Sequence, residues 1–182
     1  MAHYNSFIRI PALVIRNRIA PFPRLDAFEA DVVALRVWPN DIDFNLHLNN
    51  ARYLSVMDYG RMRLLARTGL LTPALKAHWV PLVGGVWITY RRSLALWARY
   101  TLATRLVCWD ERWFYMEQTF TGKDGLAAVG WVKGALHDPG NRAVVEPQRI
   151  LDIAQPGLVS PPIPESIRIL NELTREKLRN IS

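Results

Sequence analysis

Cysteine is nearly absent: the 182 residues hold one, Cys108, so neither an intramolecular disulfide nor a CxxC metal pair can form, and a reducing cytoplasm is the expected setting. Long apolar runs are missing too. Arginines interrupt every stretch that approaches the roughly eighteen residues of a membrane span, which argues against an integral membrane protein. The start, MAHYNSFIRIPALVIRNRIAPFPR, is basic, but Arg16 and Arg18 split its apolar part and no small-residue cleavage site follows; it reads as mature chain rather than as a signal peptide. Neither the HExxH spacing of zinc hydrolases nor the GxSxG of serine hydrolases occurs, so no metal site is expected and a serine nucleophile has little support.

Acid is missing from one long window. Between Asp58 and Asp110 there is none, while Arg61, Arg63, Arg67, Lys76, Arg91, Arg92, Arg99 and Arg105 give that stretch +8, against a formal net charge of +7 for the whole chain. Of the 23 bases 19 are arginine, the residue suited to planar phosphate recognition. Three partner classes fit: nucleic acid, an anionic membrane surface, or a phosphorylated small molecule such as coenzyme A. The plain alternative is a solvated arginine-rich surface. No helix-turn-helix, zinc-finger or RNP-like pattern accompanies the bases, which argues against nucleic acid. The segment before the first acid, Asp26, carries +4, and weak association with anionic membranes is expected there.

What is present is an ordinary globular composition, 50% hydrophobic and 21% charged, in a length that suits one domain at roughly 150 residues each. Residues 30–38 are β-branched and apolar and stop at Pro39-Asn40, a strand ending in a loop. From Ala51 to Thr68 the residues Leu54, Met57, Leu64 and Leu65 recur at helical spacing; Asn49 or Asn50 can cap the start, and Gly69 stands where a helix should stop. Gly60, inside that helix, suggests a second backbone passing close. Strands follow at 82–92, 98–109, 113–120 and 126–136, with turns at Asp110-Glu111 and Lys123-Asp124-Gly125. Four prolines between 154 and 164 mark an extended linker, and Ile167, Leu170, Leu173, Leu178 and Ile181 form the stripe of a tail helix that docks on the body or on a partner subunit. This order, with no βαβ alternation, predicts an α+β fold in which an antiparallel sheet wraps one long helix. The expected divisions are an N-terminal extension (1–27), the main domain (28–153), and the linker with its tail helix (154–182).

Chemistry, if there is any, sits before the long helix. Asp41, Asp43, Asn45, His47, Asn49 and Asn50 interleave with Ile42, Phe44, Leu46 and Leu48, an alternation that would sort polar from apolar side chains if the segment were extended. It delivers carboxylates close to a helix N-terminus, whose unpaired N–H groups stabilise an oxyanion. Carboxylate, histidine and N–H donors together suit acyl transfer or hydrolysis. The competing reading is a simple cap, since Asp and Asn are turn formers, and a lone His47 is more often structural, as are His3, His78 and His137. Cys108, within a strand and without a nearby histidine, reads as a buried small hydrophobe. Asp58 reads as the partner of Arg61, or of Arg91 or Arg92 across the fold. The seven tryptophans could line an acyl tunnel but are more simply core or interface residues.

At these residues the chain resembles a known family. Asp43-x-Asn45-x-His47 followed by Asn49-Asn50-x-x-Tyr53-Leu54, with RRSL at Arg91 to Leu94 and RLVCWDERWFYME from Arg105 to Glu117, looks like the hot-dog-fold thioesterases related to the 4-hydroxybenzoyl-CoA and plant acyl-ACP enzymes, and is closest to the thioesterase-superfamily-member-6-like proteins. The likeness covers about residues 28–138. It implies a hot-dog fold paired into homodimers or tetramers, and hydrolysis of an acyl-CoA, or less readily an acyl-ACP, without a cofactor. Asp43 matches the family's general base or nucleophile, Asn45 and His47 the pair that positions water or polarises that base, and Asn50 the backbone N–H that polarises the thioester carbonyl. Tyr53, Arg91, Arg92 and Ser93 would contact substrate, the arginines at the phosphates of coenzyme A. The acid and cysteine that follow Tyr-Arg-Arg in the plant enzymes are absent, since this chain reads Tyr90-Arg91-Arg92-Ser93-Leu94. Some member-6-like relatives have no clear activity, so the resemblance also implies an alternative, a non-catalytic acyl-thioester binding protein.

Overall fold

β-branched alternation and tight turns build one sheet, and a capped amphipathic segment supplies the helix inside it. The computed structural model describes residues 8–180, with strands β1 (Asp31–Arg36), β2 (Val80–Tyr90), β3 (Arg99–Trp109), β4 (Phe114–Gly122), β5 (Gly125–Asp138) and β6 (Ala143–Val145) and helices α1 (Ile10–Ile19), α2 (Asn50–Thr68), α3 (Leu71–Lys76), α4 (Pro147–Ala154) and α5 (Glu165–Arg179). His3 and Ile181 lie outside the described residues. The sheet is antiparallel in the order β1-β3-β4-β5-β2, with β6 added to the end of β5. The β4–β5 turn closes at Gly125, whose φ of +95° suits glycine.

α2 begins and ends where its sequence says. Asn49 Oδ1 accepts the Ala51 N–H at 2.9 Å, and Gly69 closes the helix at φ +82°, a left-handed cap. The buried face runs through Tyr53, Val56, Met57, Gly60 and Leu64, onto Leu102 of β3, Phe120 of β4 and Val132 of β5. Leu54, expected on this stripe, is instead exposed, because the 53-57-60-64 spacing centres the face one residue earlier. The sequence expectation at Gly60 also needs correcting. Side chains rather than a backbone crowd it: a Cβ there would lie 2.6 Å from Leu102 Cδ2 and from Thr104 Oγ1, and 2.9 Å from Gln118 Nε2.

Those last two side chains belong to a buried polar chain. Gln118, fully buried, donates to the Met57 carbonyl at 3.0 Å and to Thr104 Oγ1 at 2.9 Å, and accepts from Arg61 at 2.9 Å. Arg61 also pairs with Asp58, one turn away, as the i,i+3 spacing suggested. A second ion cluster pins β1 to α2: Arg63 makes a two-pronged bond to the buried Asp31 at 2.8 and 3.0 Å, with Arg67 at 3.6 Å. Arg105 pairs with Glu117 across the β3–β4 ladder. Half of the acid-free window's bases are thus engaged in internal pairs.

The flanks are more ordered than their composition suggested. α1 lies in the extension, to which the sequence assigned no element, because Pro11, Arg16 and Arg18 interrupt its pattern; Leu13 nevertheless packs with Phe22, Ala66 and Leu71. Gln155 sews three remote segments together, accepting from the Ala27 N–H at 2.9 Å and donating to the carbonyls of Leu25 and Thr68 at 2.9 and 3.0 Å. The linker runs on to α5, which docks on the convex face of the sheet through Ile167, packed over Cys108 and Tyr115. Cys108 is fully buried, and burial pushes its thiol up to about 11, so it acts as a core residue.

Candidate active site

The loop before α2 is not extended, so its alternation does not sort its side chains. Asp43 Oδ1 accepts the Asn45 N–H at 2.9 Å, an Asx turn; the Asp43 N–H reaches the His47 carbonyl at 3.0 Å; and Leu46 takes φ +59° to complete the reversal. Phe44 and Leu46 consequently face solvent, Phe44 completely, while Leu48 turns into the core. A non-local strap holds this shape. Leu48 N–H donates to the Leu94 carbonyl at 2.8 Å, Leu96 N–H to the Leu46 carbonyl at 3.1 Å, and His47 bridges Ala95. The loop is thereby fixed against the segment that follows Arg91-Arg92.

Around this junction stand most of the residues singled out from sequence. Asp43 and His47 are half-buried, Asn45 and Asn50 exposed, and the imidazole of His47 has no hydrogen-bond partner among the described residues. The Asn50 N–H, at the first turn of α2, meets no acceptor among the described residues. That leaves an unsatisfied donor at a helix N-terminus, an end that favours negative charge. Arg91, Arg92 and Ser93 are exposed. Arg92, Ser93 and Arg99 line an open cleft of about 470 Å³ with Lys123 and Asp124 from the β4–β5 turn, where Arg92 bonds the Asp124 carbonyl. Tyr53, singled out as a substrate contact, lies in the core, its ring edge-on to Tyr90 at 5.0 Å and Phe120 at 4.8 Å, and burial first, then Tyr90, pushes its phenol up to about 12. Tyr90 in turn donates to the Asn50 carbonyl at 3.4 Å, tying the end of β2 to the start of α2.

A second feature was not legible in the sequence. An apolar cavity of about 320 Å³ lies between α2 and the β2–β5 side of the sheet, lined by Leu64, Leu65, Leu82, Val83, Met116 and Leu136. No tryptophan lines it. Its charged lining is Asp58 and Arg61. Partial burial holds the Asp58 carboxyl above the usual carboxylate range despite Arg61 beside it. Asp58 stands eight residues past Asn50, about 12 Å along the helix, and none of residues 41–50 lines the cavity. Within one chain, therefore, the loop and the cavity are separate. Among the described residues no cluster of three His, Cys, Asp or Glu could hold a metal ion, and no helix is long and apolar enough to cross a membrane.

A profile of the thioesterase-like superfamily matches residues 37–169, which takes in the loop, α2 and the whole of β2 to β6. The chain belongs to that family. Among curated members, the THEM6 protein of Danio rerio is 44% identical over 108 residues, covering 59% of this chain and 54% of that protein. THEM6 of Xenopus laevis is 37% identical over 124 residues, covering 68% and 59%. The chain thus spans little more than half the length of these relatives. Among solved structures, the Staphylococcus aureus protein SAV2348 in complex with CoA superposes with a TM-score of 0.62 at 19% identity, over 79% of this chain and 95% of that one. The shared architecture is the hot-dog fold: a curled antiparallel sheet around a central helix.

Proposed function

We propose that this thioesterase-family protein hydrolyses acyl-CoA thioesters at the junction of the 42–48 loop, the start of α2 and the Arg91–Ser93 segment. The observation that carries the reading is the main-chain strap from Leu46, His47 and Leu48 to Leu94–Leu96. It holds a carboxylate, an imidazole and an unpaired helix N–H beside a basic cleft. Asp43 takes a proton from water as the water oxygen attacks the thioester carbonyl, and returns it to the thiolate as the C–S bond breaks; or its carboxylate attacks that carbon and expels the thiolate, which takes a proton from solvent, and water then hydrolyses the mixed anhydride to the free acid and the Asp43 carboxylate. In both routes the Asn50 N–H steadies the oxyanion. The relative solved with CoA supports the choice of carrier. Removing one such N–H donor typically costs about 2.7 to 4 kcal/mol of transition-state stabilisation. Thiol release from a panel of acyl-CoAs, short to long and including an aryl example, tests the activity. If no member is turned over while purified protein carries a bound acyl compound by mass spectrometry, the chain is a binding protein.

A second reading rests on Asp58. It is the carboxylate that lines the apolar cavity, and its raised pKa suits a general base. Asp43 and Asp58 are thus rival bases, and substitution separates them.

The cleft gives the carrier its place. Arg91 and Arg92 would meet the phosphates of coenzyme A, and replacing both with alanine is expected to raise KM for an acyl-CoA at least roughly tenfold, the weight of one or two hydrogen bonds to charge. KM for the same acyl group on N-acetylcysteamine, which has no phosphates, should not move. An unchanged KM for the CoA ester would remove the arginines from the site.

A homodimer completes the proposal. β2 ends the sheet with its outer edge unpaired, and Val83, Val86, Trp87 and Tyr90 along it are exposed. A long apolar edge invites a second strand; Pro81 and the bulge between Val83 and Gly85 blunt its first half, leaving 85–90 for pairing with the same segment of a second copy. α1 offers a separate surface. Ile15 and Ile19 are exposed beside Arg16 and Arg18, a pattern that suits shallow contact with an anionic bilayer. At about 1 kcal/mol per arginine, Arg16→Ala with Arg18→Ala should weaken binding to phosphatidylserine vesicles roughly 30-fold, and salt should do the same. Equal, salt-insensitive binding to neutral vesicles would count against it.

A further inference from the structure

α5 crosses the convex face of the sheet toward its free edge. Ile167 packs over Cys108 of β3 and Tyr115 of β4. Asn171 accepts from Lys133 of β5 at 2.9 Å and donates to the Tyr115 hydroxyl at 2.9 Å. A cleft of about 120 Å³ runs beneath Ile167, Leu170, Asn171 and Thr174 and reaches Gly84 to Trp87 of β2. The order of contact, β3 and β4, then β5, then β2, is the order of the strands themselves. The lengths agree as well. Two strand spacings of about 4.8 Å separate β4 from β2, and seven residues of helix, from Ile167 to Thr174, rise about 10 Å. Thr174 therefore stands over the last strand.

The helix does not stop there. It continues to Arg179, five residues and about 7 Å further, which is more than one strand spacing past the edge. Leu178 falls on the sheet-facing side, at helical spacing from Ile167, Asn171 and Thr174. Yet Ile167 is 3% exposed and Leu178 is 64% exposed. The sheet lies under the first, whereas by the lengths above the second stands past the last strand.

We propose that the last turn of α5 is a clasp that lies across the β2 strand of a second copy of this chain, with Leu178 packed on its convex side. The inference rests on the edge-paired dimer proposed above and adds to it a contact made by the tail. Two observations favour a second copy as the occupant. The overhang continues directly from the unpaired edge of β2, and a two-fold axis through that edge sets each copy's overhang over the other's strand, so one contact is made twice. Trp87, on the convex side with its ladder partner Trp131, is 55% exposed and supplies an apolar surface for such a contact. Glu172 and Glu176 interleave with Arg175 and Arg179, so antiparallel copies of the helix present acid to base.

Dilution series in the analytical ultracentrifuge on the full chain test it. Wild type is expected to be a dimer, and Leu178→Glu should raise its dissociation constant at least tenfold with an unchanged circular dichroism spectrum. Val159→Glu, also exposed but in the linker beside β3, should leave the constant as it is. If the Leu178→Glu dimer is as tight as wild type, the clasp is wrong and the edge dimer stands. A monomeric wild type overturns the edge dimer and the clasp together. Val86→Arg, on the edge itself, separates the two further, because it should dissociate an edge-paired dimer whether or not the clasp exists.

Discussion

Asp43→Asn should lower kcat for acyl-CoA hydrolysis at least a hundredfold, about 2.7 kcal/mol of barrier, and leave the fold intact. Asparagine keeps the oxygen that accepts the Asn45 N–H, so the Asx turn and the strap to Leu94 survive while the proton acceptor is lost. Asp58→Asn is expected to cost less than tenfold in kcat, since Asp58 is paired with Arg61 and lies about 12 Å along α2 from the helix start. The two variants decide between the rival carboxylates. If Asp58→Asn carries the hundredfold loss and Asp43→Asn does not, the chemistry belongs to the cavity, and the polar loop is a cap. A melting temperature measured on each variant separates lost chemistry from lost structure.

Gln118→Leu should be the most destabilising conservative change in the core. It removes the neutral acceptor of Arg61 and both donors, to Met57 and Thr104, from a fully buried position. Breaking a buried polar network at one member leaves a guanidinium short of partners, which costs about 3 to 5 kcal/mol. In a chain of this length that lowers the melting temperature by roughly 10 °C. Adding Arg61→Met should restore much of the loss, because an apolar pair of similar shape leaves less charge unpaired. A shift smaller than about 2 °C for Gln118→Leu would show that water already serves these groups, and would remove the network from the account of stability.

Local signals carried much of the fold. Asn49 and Gly69 bracketed α2 because caps act through neighbouring residues, and the alternation from Ala98 to Leu136 gave three strands because one face of each meets the helix. Where packing rather than pattern decides, the reading stopped short. α1, α3 and α4 were not assigned, since each is short and held by contacts such as Ile150 and Leu151 with the end of the sheet. The acid-free window was visible, but which arginines point inward was not: Asp31 lies 32 residues from Arg63, and Gln118 lies 57 from Arg61. The candidate residues were legible as a polar cluster before a helix. Their shape was not, because Leu46 adopts a left-handed backbone in a loop that is strapped to the remote Leu94–Leu96 segment.

That remote strap is made by main-chain atoms alone. The bonds to Leu94, Ala95 and Leu96 use amides and carbonyls, which every residue except proline supplies, so the identity of most side chains along the strap does not set the position of Asp43. Phe44, Ser93 and Ala95 are therefore free to change with the molecule they meet. Members of this lineage could diverge in what they recognise by substitutions at these positions while the polar centre stays where it is, and a proline at Leu48 or Leu96 would be the change the scaffold does not tolerate.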